Sequence, residues 1–174
     1  MTTATIPLTG ERSDLLETLA AHRHFLRFAV QSLTDEQARL RTTASELTLG
    51  GLLKHVAAQE AGWVRFILEG PAAIATPTDA SGFEAWAAEF RLLPSETLAG
   101  VLTEYDEIAA RTDELVRTLP DLDAAHPLPE APWFQPGAVR SARRVFLHIV
   151  AETAQHAGHA DILRESLDGQ KTMG

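Results

Sequence analysis

The sequence predicts an all-α protein, a four-helix bundle with short extra helices in the connections. Four long segments repeat apolar residues at alternating spacings of three and four, which is the period of an amphipathic helix. No segment offers convincing strand alternation between hairpin turns, and no internal repeat is visible. A chain of 174 residues, of which 45% are hydrophobic, also has enough apolar material for one core. We therefore expect residues 1–174 to form a single domain.

The first long helix is predicted over residues 11–32, after a short polar arm. Its apolar face carries one histidine among aliphatic side chains: Leu15, Leu19, His22, Leu26, Ala29 and Leu33. Thr34 follows, with Gln37 three residues further on, which is the pattern of a capping box. This pattern predicts a short helical turn directly after the first helix.

The second long helix is predicted to begin after Thr48, a suitable N-cap, and to end before Gly70. Its apolar stripe consists of Leu49, Leu52, Val56, Trp63 and Ile67. His55 lies on the same helix. Residues 71–82 are rich in Ala, Pro, Thr and Gly without periodicity, which predicts a surface loop.

A shorter helix around residues 83–90 precedes a third long helix that begins near Ser95 and closes near Pro120. The stretch from Pro120 to Gly137 contains five prolines and cannot be regular helix. The fourth long helix is predicted over residues 139–167, where Gly169 suits the C-terminal cap. Four long helices are therefore expected to pack as one bundle.

Composition and charge argue against several classes of function. The chain has 24 acidic and 15 basic residues and a formal charge of −9, so its field would repel nucleic acids and anionic lipids. No apolar run approaches the roughly 20 residues of a membrane-spanning helix, and the first residues do not resemble a signal peptide. We therefore expect a cytoplasmic protein that acts on a small molecule, with no nucleic-acid or membrane partner.

Cysteine is absent from the chain. This absence removes disulfides, thiolate metal ligands and a cysteine nucleophile. Any thiol chemistry must therefore use a thiol that arrives with a ligand.

The last helix holds a cluster of residues that can bind metals: His148, Glu152, His156 and His159. At about 100° per residue these positions share an arc of about 80°, which overlaps the edge of the apolar stripe. Burying a carboxylate and imidazoles without partners would be costly. A bound metal ion is one way to compensate them.

Spacing limits which of these residues can share one ion. His148 and His156 are about 12 Å apart along the axis, too far for one ion whose bonds are about 2 Å long. The candidate pairs are His148 with Glu152, Glu152 with His156, and His156 with His159. A third ligand must come from another helix, and His55 and His22 both remain open at this point.

Simpler interpretations apply to the same residues. His22 on an apolar face is typical of a hydrogen-bonded boundary residue, and a Glu152–His156 pair is typical of a helix-surface ion pair. Arg140, Arg143 and Arg144 cluster near the start of the fourth helix. They could grip an anionic substrate, although a solvated helical face is the simpler interpretation.

Three segments resemble the DinB-like superfamily: SLTDEQARLR at 32–41, LTLGGLLKHVAAQEAGWVRFILEG at 47–70 and HIVAETAQHAGHADILRESLDG at 148–169. The likeness is greatest to its actinobacterial branch, which is similar to mycothiol-dependent enzymes. In that superfamily a divalent metal is held by a histidine on the second long helix and a pair four residues apart on the last. The resemblance implies His55, Glu152 and His156 as ligands, with glutamate at 152 as in mycothiol-dependent maleylpyruvate isomerases.

The resemblance implies a metal-dependent enzyme that uses a low-molecular-weight thiol, mycothiol or bacillithiol, for transfer, isomerisation or detoxification. Zinc is the expected ion, and nickel, manganese or iron would accept the same ligands. His148 and His159 are expected to orient the ligands or the substrate, or to carry a proton.

Other functions fit the same ligands. A hydrolase would use metal-bound water, and a non-enzymatic, stress-related protein would use the ion only to staple the bundle. A bundle with a polar core network and no metal is a further alternative. Two copies could also pair as a homodimer through exposed apolar helix faces.

Overall fold

The computed structural model describes residue 8 and residues 10–172, and these residues form a mostly helical bundle. In chain order the helices are α1 (Gly10–Ala29), α2 (Asp35–Arg39), α3 (Leu49–Glu69), α4 (Ala80–Ala88), α5 (Leu98–Thr118) and α6 (Ala142–Asp168). A single 3-10 turn at Pro71–Ile74 follows α3. The four long helices are those predicted from the sequence, and the all-α bundle is confirmed.

Each long helix packs against particular neighbours. Helix α1 runs against α6, and α3 contacts both α5 and α6. Helix α3 is the most buried of the four, because its residues face neighbours on several sides. The α3–α6 interface places His55 opposite the histidine-rich part of α6, so these two helices position the candidate site.

Local sequence signals set most of the helix ends. The Thr34 side chain and the Gln37 side chain form the reciprocal hydrogen bonds of a capping box at α2. The Thr48 hydroxyl accepts a hydrogen bond from the amide of Gly51 at the start of α3. Gly169 ends α6 with a φ of 83°, a left-handed conformation that glycine adopts without strain. These caps match the sequence predictions.

Several helix boundaries differ from the predictions. Helix α4 begins at Ala80, inside the predicted loop, because the Asp79 side chain caps it, and it ends at Ala88. Helix α1 ends at Ala29, three residues early, and α5 begins at Leu98 because the hydroxyl of Thr97 caps it. Ser95 lies before that cap, in the non-helical connection. A second hydroxyl residue close to the first therefore decided where the helix starts.

A small sheet was not predicted. Strand β1 (Ala125–Pro127) pairs antiparallel with β2 (Val139–Ser141), and His126 lies opposite Arg140. The expectation that residues 139–141 are helical was wrong. The hydroxyl of Ser141 caps α6 instead, so the helix begins at Ala142 and the three residues before it are extended.

Two apolar clusters fill the core, one towards each end of the bundle. On α6 one cluster includes Ile149 and the other begins at Ala157. Between them lies a set of buried polar side chains, here called the polar layer, which consists of Arg23, Glu60, Thr112 and Thr153. Among the described residues, no helix is both long and apolar enough to cross a membrane.

Candidate metal centre

His55, Glu152 and His156 converge at the interface of α3 and α6. The Nε2 atoms of His55 and His156 lie 3.6 Å and 3.3 Å from Oε1 of Glu152. One ligand atom from each residue lies within 4.8 Å of the other two. Ligands of one tetrahedral ion with bonds of about 2 Å lie roughly 3.3 Å apart, so the two distances to Glu152 suit a common ion.

The three groups differ in burial and charge. His55 is buried, while Glu152 and His156 are half-buried at the edge of the bundle. The pKa of the Glu152 carboxyl is far below its ordinary value, because His156 and then His55 donate towards it and outweigh its partial burial. Glu152 is therefore ionised, which is the state that a metal ligand needs.

Each imidazole is held by a further ring. His159 places its Nδ1 3.3 Å from Nδ1 of His156, so one of these two nitrogens donates to the other. An ion bound at Nε2 of His156 would leave the ring proton on Nδ1, which would then donate to His159. His55 stacks on Phe90 with ring centroids 4.2 Å apart. Both rings are thus oriented before any ion binds.

The donor set fits a divalent transition metal. Two imidazoles and one carboxylate suit zinc, iron, manganese or nickel, and three protein ligands leave a coordination position open. His55 Nδ1 is buried and has no hydrogen-bond partner among residues 8 and 10–172. An ion at the opposite ring nitrogen would offset part of the cost of burying this imidazole.

A family comparison adds to this geometry. The model of the family described as mycothiol-S-transferase matches residues 14–169 of the chain. The chain belongs to this family. The match covers α1 to α6, and with it the three converging residues, and it confirms the resemblance to the DinB-like superfamily. A comparison with curated proteins gave no match.

His148 lies one turn before Glu152, outside the converging group of this mycothiol-S-transferase family member. Its ring meets Trp63 edge to face, with centroids 4.7 Å apart. Burial and the nearby charge of Arg140 lower the pKa of His148. His148 is therefore neutral at physiological pH and lies beside the centre rather than in it.

His22 does not reach the centre. It is half-buried on α1, where its ring lies beside Phe25, and it does not belong to the converging group. The inward position on this helix belongs instead to Arg23, which is 2% exposed. His22, the other third ligand that the sequence left open, therefore lies outside the candidate metal centre.

The three arginines near the start of α6 do not share one environment. Arg143 pairs with Glu11 and Asp123, and Arg144 is exposed. Arg140 belongs to β2, where its guanidinium carbon lies 4.7 Å from the centroid of the Trp63 ring. The interpretation of all three as one solvated helical face was therefore wrong for Arg140, since it precedes the helix.

Sequence reasoning also missed the buried ion pair of the polar layer. The Arg23 guanidinium binds both carboxylate oxygens of Glu60, and its Nη1 lies 2.7 Å from Oδ1 of Asp113. Burial alone would lower the pKa of Arg23. The carboxylates of Glu60 and Asp113 outweigh this effect, so the pKa lies above its ordinary value. The spacing of Arg23 from Leu19 and Leu26, four and three residues, was the available signal.

A narrow cleft runs from this pair to the centre. It is lined by Glu60, Trp63, Glu152 and Thr153, among other residues of α3 and α6. A larger groove of about 510 Å³ lies elsewhere, between α1 and α5, and contains none of the three converging residues. The chemistry of the ligands, rather than cavity size, therefore identifies the site.

Gly51 on α3 allows the segment that follows α4 to approach α3 closely. A β-carbon at this position would overlap the carbonyl oxygen of Phe90 and lie 2.8 Å from its carbonyl carbon. Alanine in place of helical glycine normally adds up to about 1 kcal/mol of stability. We expect Gly51→Ala to lower the free energy of unfolding by about 1–3 kcal/mol instead, because backbone atoms must move. Urea denaturation of the metal-free protein checks this.

The same substitution should weaken metal binding, because displaced Phe90 no longer holds the ring of His55. Gly158→Ala is the matched control, since a β-carbon added there would have no heavy atom within 4 Å. It should gain up to about 1 kcal/mol from helix propensity. Equal stability of the two variants would show that the close approach at Gly51 has no energetic effect.

Proposed function

We propose that the protein is a metal-dependent S-transferase that joins the sulfur of a low-molecular-weight thiol, such as mycothiol, to an electrophilic small molecule. One observation carries the proposal: His55, Glu152 and His156 converge within 4.8 Å in a chain that belongs to the mycothiol-S-transferase family. The chain contains no cysteine, so the sulfur must come from a cosubstrate.

The chemistry requires a thiolate at neutral pH. A divalent ion, for which we propose zinc, would lower the pKa of a thiol at the open coordination position. His55, Glu152 and His156 would hold this ion. Their preorganisation by Phe90 and His159 keeps the three donor atoms in place when no ligand is bound.

A histidine beside the centre would accept the proton that the thiol loses. His148 is neutral, and a ring nitrogen of a neutral imidazole can accept the proton that the thiol loses. The thiolate then forms a carbon–sulfur bond with the electrophile. In a substitution the leaving group departs with the carbon's former bonding pair, and in an addition the proton returns from the imidazole to the neighbouring carbon. His159 contributes by orienting His156.

Turnover with and without thiol tests the proposal. The metal-loaded protein is given a fluorogenic alkyl halide with mycothiol, with bacillithiol, or with no thiol. We expect thioether formation that requires a thiol and is lost after chelation of the metal. Equal consumption of the electrophile without thiol would identify a hydrolase that uses water, which fits the same three ligands.

A purely structural metal site gives a different result. A protein that uses the ion only to staple α3 to α6 would lose stability on chelation without ever forming product. A cobalt-substituted sample separates the two roles, because an exchangeable ligand at the open position changes its visible spectrum when thiol is added. A cytoplasmic location and pairing of two copies stay predictions of the sequence.

A further inference from the structure

Arg140 presents a partly buried guanidinium that has no carboxylate partner among the described residues. Its guanidinium carbon lies 4.7 Å from the ring centroid of Trp63 and 5.4 Å from that of Phe134. Its Nη1 is buried and has no hydrogen-bond partner among the described residues. The residue as a whole is half-buried, so part of it is open to solvent.

Half-buried Arg12 and Arg39 also have no carboxylate partner, but both donate to backbone carbonyls, whereas the buried Nη1 of Arg140 has no acceptor among the described residues. Acidic residues outnumber basic ones by 24 to 15, and several other buried or half-buried arginines have carboxylate partners. Arg23 binds Glu60, Arg164 binds Asp168, and Arg143 binds Glu11. Arg140 makes no ion pair within the part of the chain that the structure describes. Burying a guanidinium nitrogen without an acceptor is costly, so an external acceptor would recover this energy.

The position of Arg140 relative to the candidate metal centre is fixed by two elements. The β1–β2 register holds its backbone opposite His126, and Trp63 supports its side chain. The edge of the same Trp63 ring system meets His148, which lies about 6 Å along α6 from Glu152. A series of side-chain contacts therefore runs from β2 to α6, from Arg140 through Trp63 to His148.

We propose that Arg140 is the carboxylate-binding residue of the substrate site, and that it selects electrophiles that carry a carboxylate. Guanidinium forms two parallel hydrogen bonds with a carboxylate, and the aromatic faces of Trp63 and Phe134 keep its plane fixed. The aromatic walls formed by Trp63 and Phe134 favour a carboxylate over a phosphate dianion, because the dianion costs more to remove from water. The selecting role rests on the proposed S-transferase function, whereas the anion site does not.

Binding of butyrate tests the anion site without turnover. Butyrate, its neutral analogue butyramide and inorganic phosphate are titrated into the metal-loaded wild type, and tryptophan fluorescence is followed because Trp63 lies against the guanidinium. We expect butyrate to bind more tightly than either other compound. Arg140→Gln should lower the affinity for butyrate at least tenfold, as expected for loss of a charged hydrogen-bond donor. Arg111→Gln, the same charge change at an exposed position of α5, should alter the affinity for butyrate less than twofold.

The outcomes separate the alternatives. Equal butyrate affinity in Arg140→Gln and wild type would overturn the proposal, as would tighter binding of phosphate or butyramide. Butyrate binding that disappears on metal removal but survives Arg140→Gln would place the carboxylate on the ion, and would also overturn it. Arg140→Lys keeps the charge and supports the same test if Arg140→Gln does not fold, with an expected loss of about threefold to tenfold.

Turnover gives the second readout. Arg140→Gln should raise KM at least tenfold for a carboxylate-bearing electrophile and leave KM for its methyl ester within twofold. Equal effects on acid and ester would contradict the selecting role. Absence of thiol transfer in the wild type would refute the proposed function alone, because butyrate binding would still depend on Arg140.

Discussion

The His156→Ala variant is expected to lose its metal ion. His156 supplies one of three converging ligands, and its Nε2 lies 3.3 Å from Oε1 of Glu152. Loss of an outer partner of a metal site typically costs 10- to 100-fold in affinity, so loss of a ligand should cost more than about 100-fold. Elemental analysis of protein purified without an affinity tag, followed by a chelator competition, measures both occupancy and affinity.

His24→Ala provides the matched control. His24 is an exposed histidine of α1 that lies outside the converging group, so its variant should keep the metal content of the wild type. Far-ultraviolet circular dichroism checks that both variants are helical. A full complement of metal in folded His156→Ala would refute the site, and equal losses in both variants would show that the ion binds to surface histidines.

The second large effect is expected in the polar layer. Arg23→Met should lower the free energy of unfolding by about 3–5 kcal/mol, because it leaves the carboxylate of Glu60 buried without its main partner. Glu60 is 1% exposed, so water cannot replace the guanidinium without a change in packing. Urea denaturation at neutral pH, analysed as a two-state transition, measures the loss.

Two further variants identify the cause. Arg27→Met removes a more exposed arginine one turn later, which pairs with Asp106 and lies over Tyr105, and it should cost only about 1 kcal/mol. The double variant Arg23→Met with Glu60→Met should recover most of the lost stability, because no fully buried charge is left unpaired and Asp113 is 27% exposed to water. A double variant that is less stable than Arg23→Met would show that apolar packing, rather than the unpaired carboxylate, dominates.

The helices could be predicted because their signals are local. Apolar spacing marks the buried faces, and Thr34, Thr48 and Gly169 mark ends through hydrogen bonds or backbone angles that involve only a few neighbours. The strands β1 and β2 could not be predicted in this way, since three residues are too few for alternation. Their pairing joins residues 125–127 to 139–141 across a proline-rich connection.

The site could be predicted only in part. Helical spacing placed four candidate residues on one side of α6 but left three pairs and two possible partners open. The structure brings His55 to Glu152 and His156, in agreement with the resemblance, and the roles of these residues stay a prediction. Arg140 was misplaced because its direction depends on a strand register, and Arg23 was missed because its partner is 37 residues away.

The polar layer also restricts how α6 can slide along α3. A slide by one turn, about 5.4 Å, would carry the Thr153 hydroxyl into apolar surroundings and bring the wholly apolar Ile149 or Ala157 to the level of the Arg23–Glu60 pair. At either end of the bundle such a slide would cost packing alone, because it exchanges aliphatic side chains for one another without burying an unpaired polar group. The polar layer therefore makes every other alignment of α6 with α3 less stable. As a result, His55 on α3 lies level with Glu152 and His156 on α6 each time the chain folds.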